Sequence, residues 1–320
     1  MESLNMFEIK KIKFGNLESV KLVNTKTGES ASILPHYGAN LYELILLKNN
    51  RLNGVIKGFD TEDAMVEHHG FYSSHLFPFA GRLPDGKFSY EGKEYFFEIN
   101  DMEFQAALHG FLYNQPMDIS WQRCNEKAAE ICFYFSSENV HISYPFSVDV
   151  NISYKLDESG LTCTTFFLNQ GKVAAPIAYG VHPYFRFDTK VDNLEIKITA
   201  EKETLLSDRL VPSGKTKPNN DFINFSKIST RFFDNGFQFP RKEGVVTTQL
   251  KNPSDNVIIN IWQETGKHKF NFLQVYTPPT RDCVAIEPLC GNINSLNNKD
   301  DLMVLEPKQS ASLQWGVKLT

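Results

Sequence analysis

The sequence predicts an all-β chain, folded as a large antiparallel β-sandwich, and three observations carry that reading. Apolar residues recur at every second position in one run after another, the period at which side chains alternate between the faces of a sheet. Turn-forming residues punctuate those runs at short intervals. No βαβ alternation and no fixed-period repeat argues for a parallel sheet or a solenoid.

The elements follow in order. Lys26-Thr27-Gly28-Glu29 supplies the first hairpin chemistry. Asp60 to Glu67 has the best helical signal, with Thr61 and Asp63 able to cap a short turn carrying Ala64 and Met65, and reads as a connector. Glu91-Gly92-Lys93 makes a turn before Tyr95-Phe97-Ile99. The clearest strand places Phe146, Val148, Val150, Ile152, Tyr154 and Leu156 on one face and Ser147, Asp149, Asn151, Ser153 and Lys155 on the other. Asp157-Glu158-Ser159-Gly160 then turns the chain into a second strand, Leu161 to Leu168. Asp208 to Gly214 offers turn chemistry after Leu194-Ile196-Ile198. The polar stretch Pro212 to Asp221 reads as a long loop rather than a linker, because strand patterns continue on both sides. Leu313-Trp315-Val317-Leu319 keeps the alternation to the end, and residues 1–320 are read as a single domain.

Composition excludes several classes. With 33 basic against 38 acidic residues, a net charge of −5 and no run of Lys or Arg, the chain has no surplus for neutralising phosphates, so nucleic acid is not an expected partner. No apolar stretch is long enough to span a bilayer, and Met1 to Gly15 lacks the apolar core of a signal peptide. Cys124, Cys132, Cys163, Cys283 and Cys290 are scattered, with no Cys-x-x-Cys pair, and read as reduced thiols. The expected setting is cytoplasmic, and the expected state a monomer or homodimer.

Two motifs imitate other chemistries. Gly81-Arg82-Leu83-Pro84-Asp85-Gly86-Lys87 has P-loop spacing as far as the lysine, but Phe88 stands where Ser or Thr would hold magnesium, and Asp85-Gly86-Lys87 reads as a hairpin turn. Glu67, His68, His69 and His75 invite a metal reading, yet adjacent histidines on an extended chain point to opposite faces, so the histidines are read as ordinary loop residues.

Three other segments put ionisable or aromatic groups where sheet packing does not need them: Leu108-His109-Gly110, Gly180-Val181-His182-Pro183-Tyr184-Phe185, and Val284-Ala285-Ile286-Glu287-Pro288. Glu287, read as ending an apolar strand, would be partly desolvated, which raises a carboxyl pKa and suits a general base. His182 is held between Val181 and the rigid Pro183, beside aromatic rings, Tyr184 among them, that can wall a sugar or other planar-faced ligand site. Gly110 lets a ligand approach the backbone next to His109. Taken singly, each also fits an ordinary structural residue.

In their order and surroundings these segments resemble the aldose 1-epimerase (galactose mutarotase) family, over nearly the whole chain. The similarity also rests on Tyr37-Gly38-Ala39-Asn40-Leu41, Phe77-Pro78-Phe79-Ala80-Gly81-Arg82-Leu83 with Gly86-Lys87-Phe88, Tyr144-Pro145-Phe146, and Gln274-Val275-Tyr276-Thr277-Pro278-Pro279. The resemblance implies a galactose mutarotase-like supersandwich that interconverts α and β anomers of a free hexose without metal or cofactor. It implies that Glu287 takes the anomeric hydroxyl proton, that His182 protonates the ring oxygen, and that His109 positions and polarises the centre. Arg82 would hydrogen-bond sugar hydroxyls, and Asp234, in Phe232-Phe233-Asp234-Asn235-Gly236-Phe237, resembles a sugar-binding aspartate while also fitting a turn before Asn-Gly. Gly81 stands where many members have Asn, and Phe111 where many have a second Gly after Leu-His-Gly; both are expected near the sugar and mark a divergent branch. Alternatives are a hexose-6-phosphate mutarotase using Arg82 or Arg186 as the phosphate cation, a carbohydrate-binding protein without turnover, and a glycosidase with Asp234 and Glu287 as its carboxyl pair.

Overall fold

A computed structural model of the chain describes residues 6–67 and 70–320. Antiparallel strands dominate and form three large sheets of five, nine and eight strands, with short two-stranded ribbons between them. The five-stranded sheet is sequential, from Phe7–Phe14 to Arg51–Gly54. The nine-stranded sheet runs from the edge strand Asp118–Cys124 through Val148–Asp157, Gly160–Asn169, Ser310–Leu319 and Val257–Thr265 to the short strand Ser226–Lys227. The period-two reading holds closely here: in Val148–Asp157 buried and half-buried residues alternate without a break. The turn falls where expected, with Asp157 opposite Gly160. Thr61 caps the connector helix Glu62–Glu67, its Oγ1 accepting the Ala64 N–H at 3.1 Å.

One contiguous buried cluster draws Leu22 and Ile33 from the five-stranded sheet, Ile152, Tyr154 and Leu313 from the nine-stranded sheet, and Leu273, Val275 and Ile286 from the eight-stranded sheet. Burying so many large side chains, each contributing roughly 1.5–3 kcal/mol, fixes the sheets against one another.

The stretch expected as a loop is different. Pro212–Pro218 is a strand that pairs antiparallel with Lys202–Leu206 at the edge of the eight-stranded sheet. It has no buried face, so it lacks the apolar alternation by which strands are read. Its lysines and terminal prolines are the residues that protect an exposed edge from pairing with another chain. The P-loop imitation fails as expected, since no helix follows, but the hairpin expected there is corrected: Asp85 and Gly86, both at positive φ, make a turn between the strands Arg82–Pro84 and Lys87–Tyr90, which pair with Ala106–Leu108 and Lys93–Phe96 and not with each other. His75 is not the loop residue expected: it is buried in the strand Ser74–Leu76, its ring nitrogens bonded to the hydroxyls of Tyr179 and Tyr154, so it is not free to ligate; His68 and His69 lie outside the described residues.

Candidate active site

The eight-stranded sheet builds the site by simple alternation. Its strands Asp234–Gln238, Phe272–Tyr276, Val284–Leu289 and Gly180–His182 are consecutive neighbours, with Tyr184–Phe185 pairing onto Val284–Leu289. Asp234 stands opposite Tyr276, and Gln274 opposite Glu287. Val181, Phe237, Leu273, Val275 and Ile286, at the intervening positions, enter the core cluster. The other face presents His182, Tyr184, Asp234, Gln274, Tyr276, Glu287 and Leu289 to a cleft of about 200 Å³.

A ribbon of Arg82–Pro84 against Ala106–Leu108 closes the cleft from above, with Arg82 opposite Leu108. At its end Gly81, His109 and Gly110 all have positive φ, an unusual conformation for His109 that turns its ring into the cleft. Two bonds hold this corner. The His109 N–H donates to the Gly81 carbonyl at 3.2 Å, and the Gly81 N–H donates to His109 Nδ1 at 3.1 Å. Because Nδ1 is an acceptor, the neutral ring carries its proton on Nε2 and is fixed as a hydrogen-bond donor. Burial, with His182 and Arg82 nearby, keeps the His109 pKa well below the ordinary histidine value, so the ring stays neutral.

His182 Nε2 lies 3.6 Å from Glu287 Oε1, and both side chains are buried. Burial pushes the His182 pKa down to about 3. Burial, reinforced by the Asp234 charge and opposed by Arg82, raises Glu287 well above the usual carboxylate range. Both groups are therefore driven toward neutrality, the imidazole away from its charged form and the carboxyl toward keeping its proton. His182 Nδ1 has no hydrogen-bond partner among the described residues, so no fixed bond pins its tautomer as Gly81 pins that of His109. The His182 ring stacks on Tyr184 with centroids 4.9 Å apart.

Arg82 is the one basic side chain, histidines apart, among the described residues of the cleft. Its Nε donates to Asp101 Oδ2 at 2.8 Å, its Nη1 lies 3.8 Å from Asp234 Oδ2, and Phe104 covers the guanidinium at 4.6 Å. Gln274 Nε2 donates to Asp234 Oδ1 at 2.6 Å. Burial raises the Asp234 pKa against the opposing pull of Arg82 and Gln274.

All six residues singled out in the sequence, Arg82, His109, His182, Tyr184, Asp234 and Glu287, meet in this cleft. Asp234 opens the strand Asp234–Gln238, so Asn235-Gly236 is part of a strand and not a turn. Three expectations are corrected. Glu287 does not end its strand but lies inside Val284–Leu289, and its desolvation comes from neighbouring strands on both sides. Phe111 lies not at the cleft but in the core, against Phe77, His141 and Tyr144. Arg186 does not line the cleft. Sequence reasoning gave no role to Gln274, Tyr276 or Asp101. A lone amide in the apolar strand Phe272–Tyr276 marked Gln274, whereas Asp101 sits in a polar stretch with nothing to single it out.

Comparisons with known proteins identify the family and the fold. Over residues 19–316 the chain matches the family described as Aldose 1-epimerase. It is 28% identical over 283 residues to the uncharacterized protein YphB of Escherichia coli, covering 83% of this chain and 92% of that protein. With human galactose mutarotase it shares 23% identity over 175 residues, 53% of this chain and 49% of the human protein. A galactose mutarotase-like protein from Clostridium acetobutylicum has the same fold, with a TM-score of 0.86 at 20% identity over 98% of both chains. The galactose 1-epimerase of Lactobacillus acidophilus superposes with a TM-score of 0.80 at 15% identity over 99% of both. The chain belongs to the aldose 1-epimerase family.

Proposed function

We propose that this protein is an aldose 1-epimerase that interconverts the α and β anomers of a free aldose by acid–base ring opening and reclosure. The observation that carries the proposal is the buried His182–Glu287 pair, 3.6 Å apart, at the base of a cleft lined with hydroxyl-binding groups. Anomer exchange needs a proton to leave O1 and another to reach the ring oxygen as the C1–O5 bond breaks. In the proposed reaction the pair enters with one proton, and its passage from carboxyl to imidazole leaves a carboxylate to take the O1 proton and an imidazolium to protonate O5. The open aldehyde turns about C1–C2, and the two groups exchange roles as either face recloses. His109, held neutral with Nε2–H directed outward from its Gly81 bond, donates to the developing oxygen charge. Arg82, Asp234 and Gln274 grip ring hydroxyls, with Tyr184 among the aromatic groups of the wall.

The alternatives draw less support. A phosphorylated sugar would need a spare cation, but Arg82 already faces two carboxylates. A glycosidase would need Asp234 as nucleophile or base, while both its oxygens are engaged by Gln274 and Arg82. A protein that only binds sugar has no use for a buried imidazole and carboxyl, whose desolvation is costly.

The test follows the approach to anomeric equilibrium by polarimetry or proton NMR from pure α-glucose and α-galactose, with wild type beside Glu287→Gln. Acceleration by the wild type and a loss of at least about hundredfold in the variant are expected. A wild-type rate equal to buffer on every aldose tried would overturn the proposal.

A further inference from the structure

The cleft is chemically two-sided. One side carries Arg82, Asp234 and Gln274, each able to bond a hydroxyl. A second flank of the lining is made of Gly81, Leu289 and Ile293. Leu289 and Ile293 are both buried and belong to one apolar cluster with Leu76, Ala80 and Phe272. Gly81 contributes no side chain, and none would fit: a Cβ there would stand 2.7 Å from Ile293 Cγ1, on a backbone with φ of +69°.

The backbone of this flank is equally unreceptive. The Gly81 N–H and C=O are both taken by His109. The Ile293 N–H donates to Asn292 Oδ1 at 3.0 Å, and its carbonyl accepts from Asn298 Nδ2 at 3.1 Å. Leu289 lies within the sheet, between Phe272 and Gly180. A sugar hydroxyl turned to this side would lose its water and find no free partner.

We infer that the preferred substrate is a deoxy aldose, one that presents a C–H or methyl group to Gly81, Leu289 and Ile293 where a common hexose presents a hydroxyl. The inference rests on the mutarotase reading and adds the substrate class. An apolar wall discriminates only modestly against an extra hydroxyl, so the expected preference in kcat/KM is about tenfold to hundredfold.

The experiment measures kcat/KM for mutarotation, corrected for the spontaneous rate, on matched pairs: 6-deoxygalactose against galactose, 6-deoxyglucose against glucose, and the 2-deoxy counterparts of both hexoses. At least one deoxy sugar is expected to exceed its parent by about tenfold. Parent sugars equal to or faster than their deoxy partners in every pair would overturn the inference while leaving the mutarotase reading intact. Ile293→Thr, which keeps the β-branch but loses one carbon and adds one hydroxyl, is expected to shrink the preference, whereas Ile293→Val, which loses the carbon alone, is expected to keep it; an unchanged ratio in a folded Ile293→Thr variant also counts against the inference. Calorimetric binding of the same pairs to Glu287→Gln reads the preference without turnover. If no sugar is turned over, the mutarotase reading fails, and this binding ratio alone decides whether the flank selects deoxy sugars.

Discussion

His182 Nε2 and Glu287 Oε1 face each other at 3.6 Å, and burial shifts the two groups in opposite directions, the imidazole down and the carboxyl up. Each shift makes the protonation state of the pair a statement about stability, and the two statements have opposite signs.

For Glu287 the folded pKa lies well above 4.5, the ordinary value. Below about pH 4.5 folded and unfolded chains both hold the proton, and the group contributes no difference. As pH rises through the window between that value and the folded pKa, the unfolded chain releases a proton that the folded chain keeps, so stability falls. Glu287→Gln removes this penalty. The variant is expected to melt at a higher temperature than wild type at pH 7 to 8, with the gap closing toward pH 4.5, even as it is expected to lose activity. Calorimetry across that range checks it, and a lower melting temperature for the variant at neutral pH would sink the argument.

His75 gives the opposite slope. Burial pushes its pKa down to about 3 from an ordinary 6.5. Its neutral form is fully present in both states above about pH 6.5, and between there and pH 3 the unfolded chain binds a proton that the folded chain refuses. Stability attributable to this group therefore falls as pH falls, by up to about 1.4 kcal/mol per pH unit. His75→Gln still offers hydrogen bonds to Tyr154 and Tyr179 but cannot titrate. Urea unfolding from pH 7 to 4 should show a shallower acid decline in the variant. Parallel curves would mean that His75 is not the group responsible.

What could be read in the sequence was whatever depends on local alternation or on the identity of a single residue. Val148–Asp157 declares itself because one of its faces is buried, while Pro212–Pro218 does not because both of its faces are wet. His182 and Glu287 are visible as ionisable residues set in apolar runs. The register that brings Gln274 opposite Glu287, and Tyr276 opposite Asp234, depends on strand order in the sheet and leaves no local trace. Asp101 was out of reach for the same reason: it is 19 residues from Arg82, and only the ribbon turns it back onto the guanidinium.

Asp101 then has a definite task. It holds Arg82 Nε at 2.8 Å, while Asp234 stays farther away at 3.8 Å. Without Asp101 the guanidinium is expected to close on Asp234 and withdraw two sugar-binding groups at once. Asp101→Ala should raise KM for the aldose by about tenfold, equivalent to about 1.4 kcal/mol, with a smaller effect on kcat, because Asp101 bonds Arg82 and touches neither His182 nor Glu287. Arg82→Lys should behave similarly, since an ammonium cannot reproduce the planar fork. A fall in kcat at unchanged KM in Asp101→Ala would show that the aspartate acts on the chemistry and not on Arg82.

Phe111 separates a change in family pattern from a change in the site. Following Leu108-His109-Gly110, it looks in sequence like part of the sugar-binding loop, yet its ring stacks on His141 at 5.2 Å and packs edge-on against Phe77 at 5.8 Å. Those contacts belong to the core, where deleting an aromatic ring leaves a cavity. Phe111→Ala is expected to cost about 3–5 kcal/mol of stability and to leave the order of preference among sugars unchanged in the fraction that folds. Chemical denaturation and the same panel of aldoses measure both quantities. A variant of near wild-type stability with an altered sugar preference would put Phe111 back at the substrate and overturn its assignment to the core.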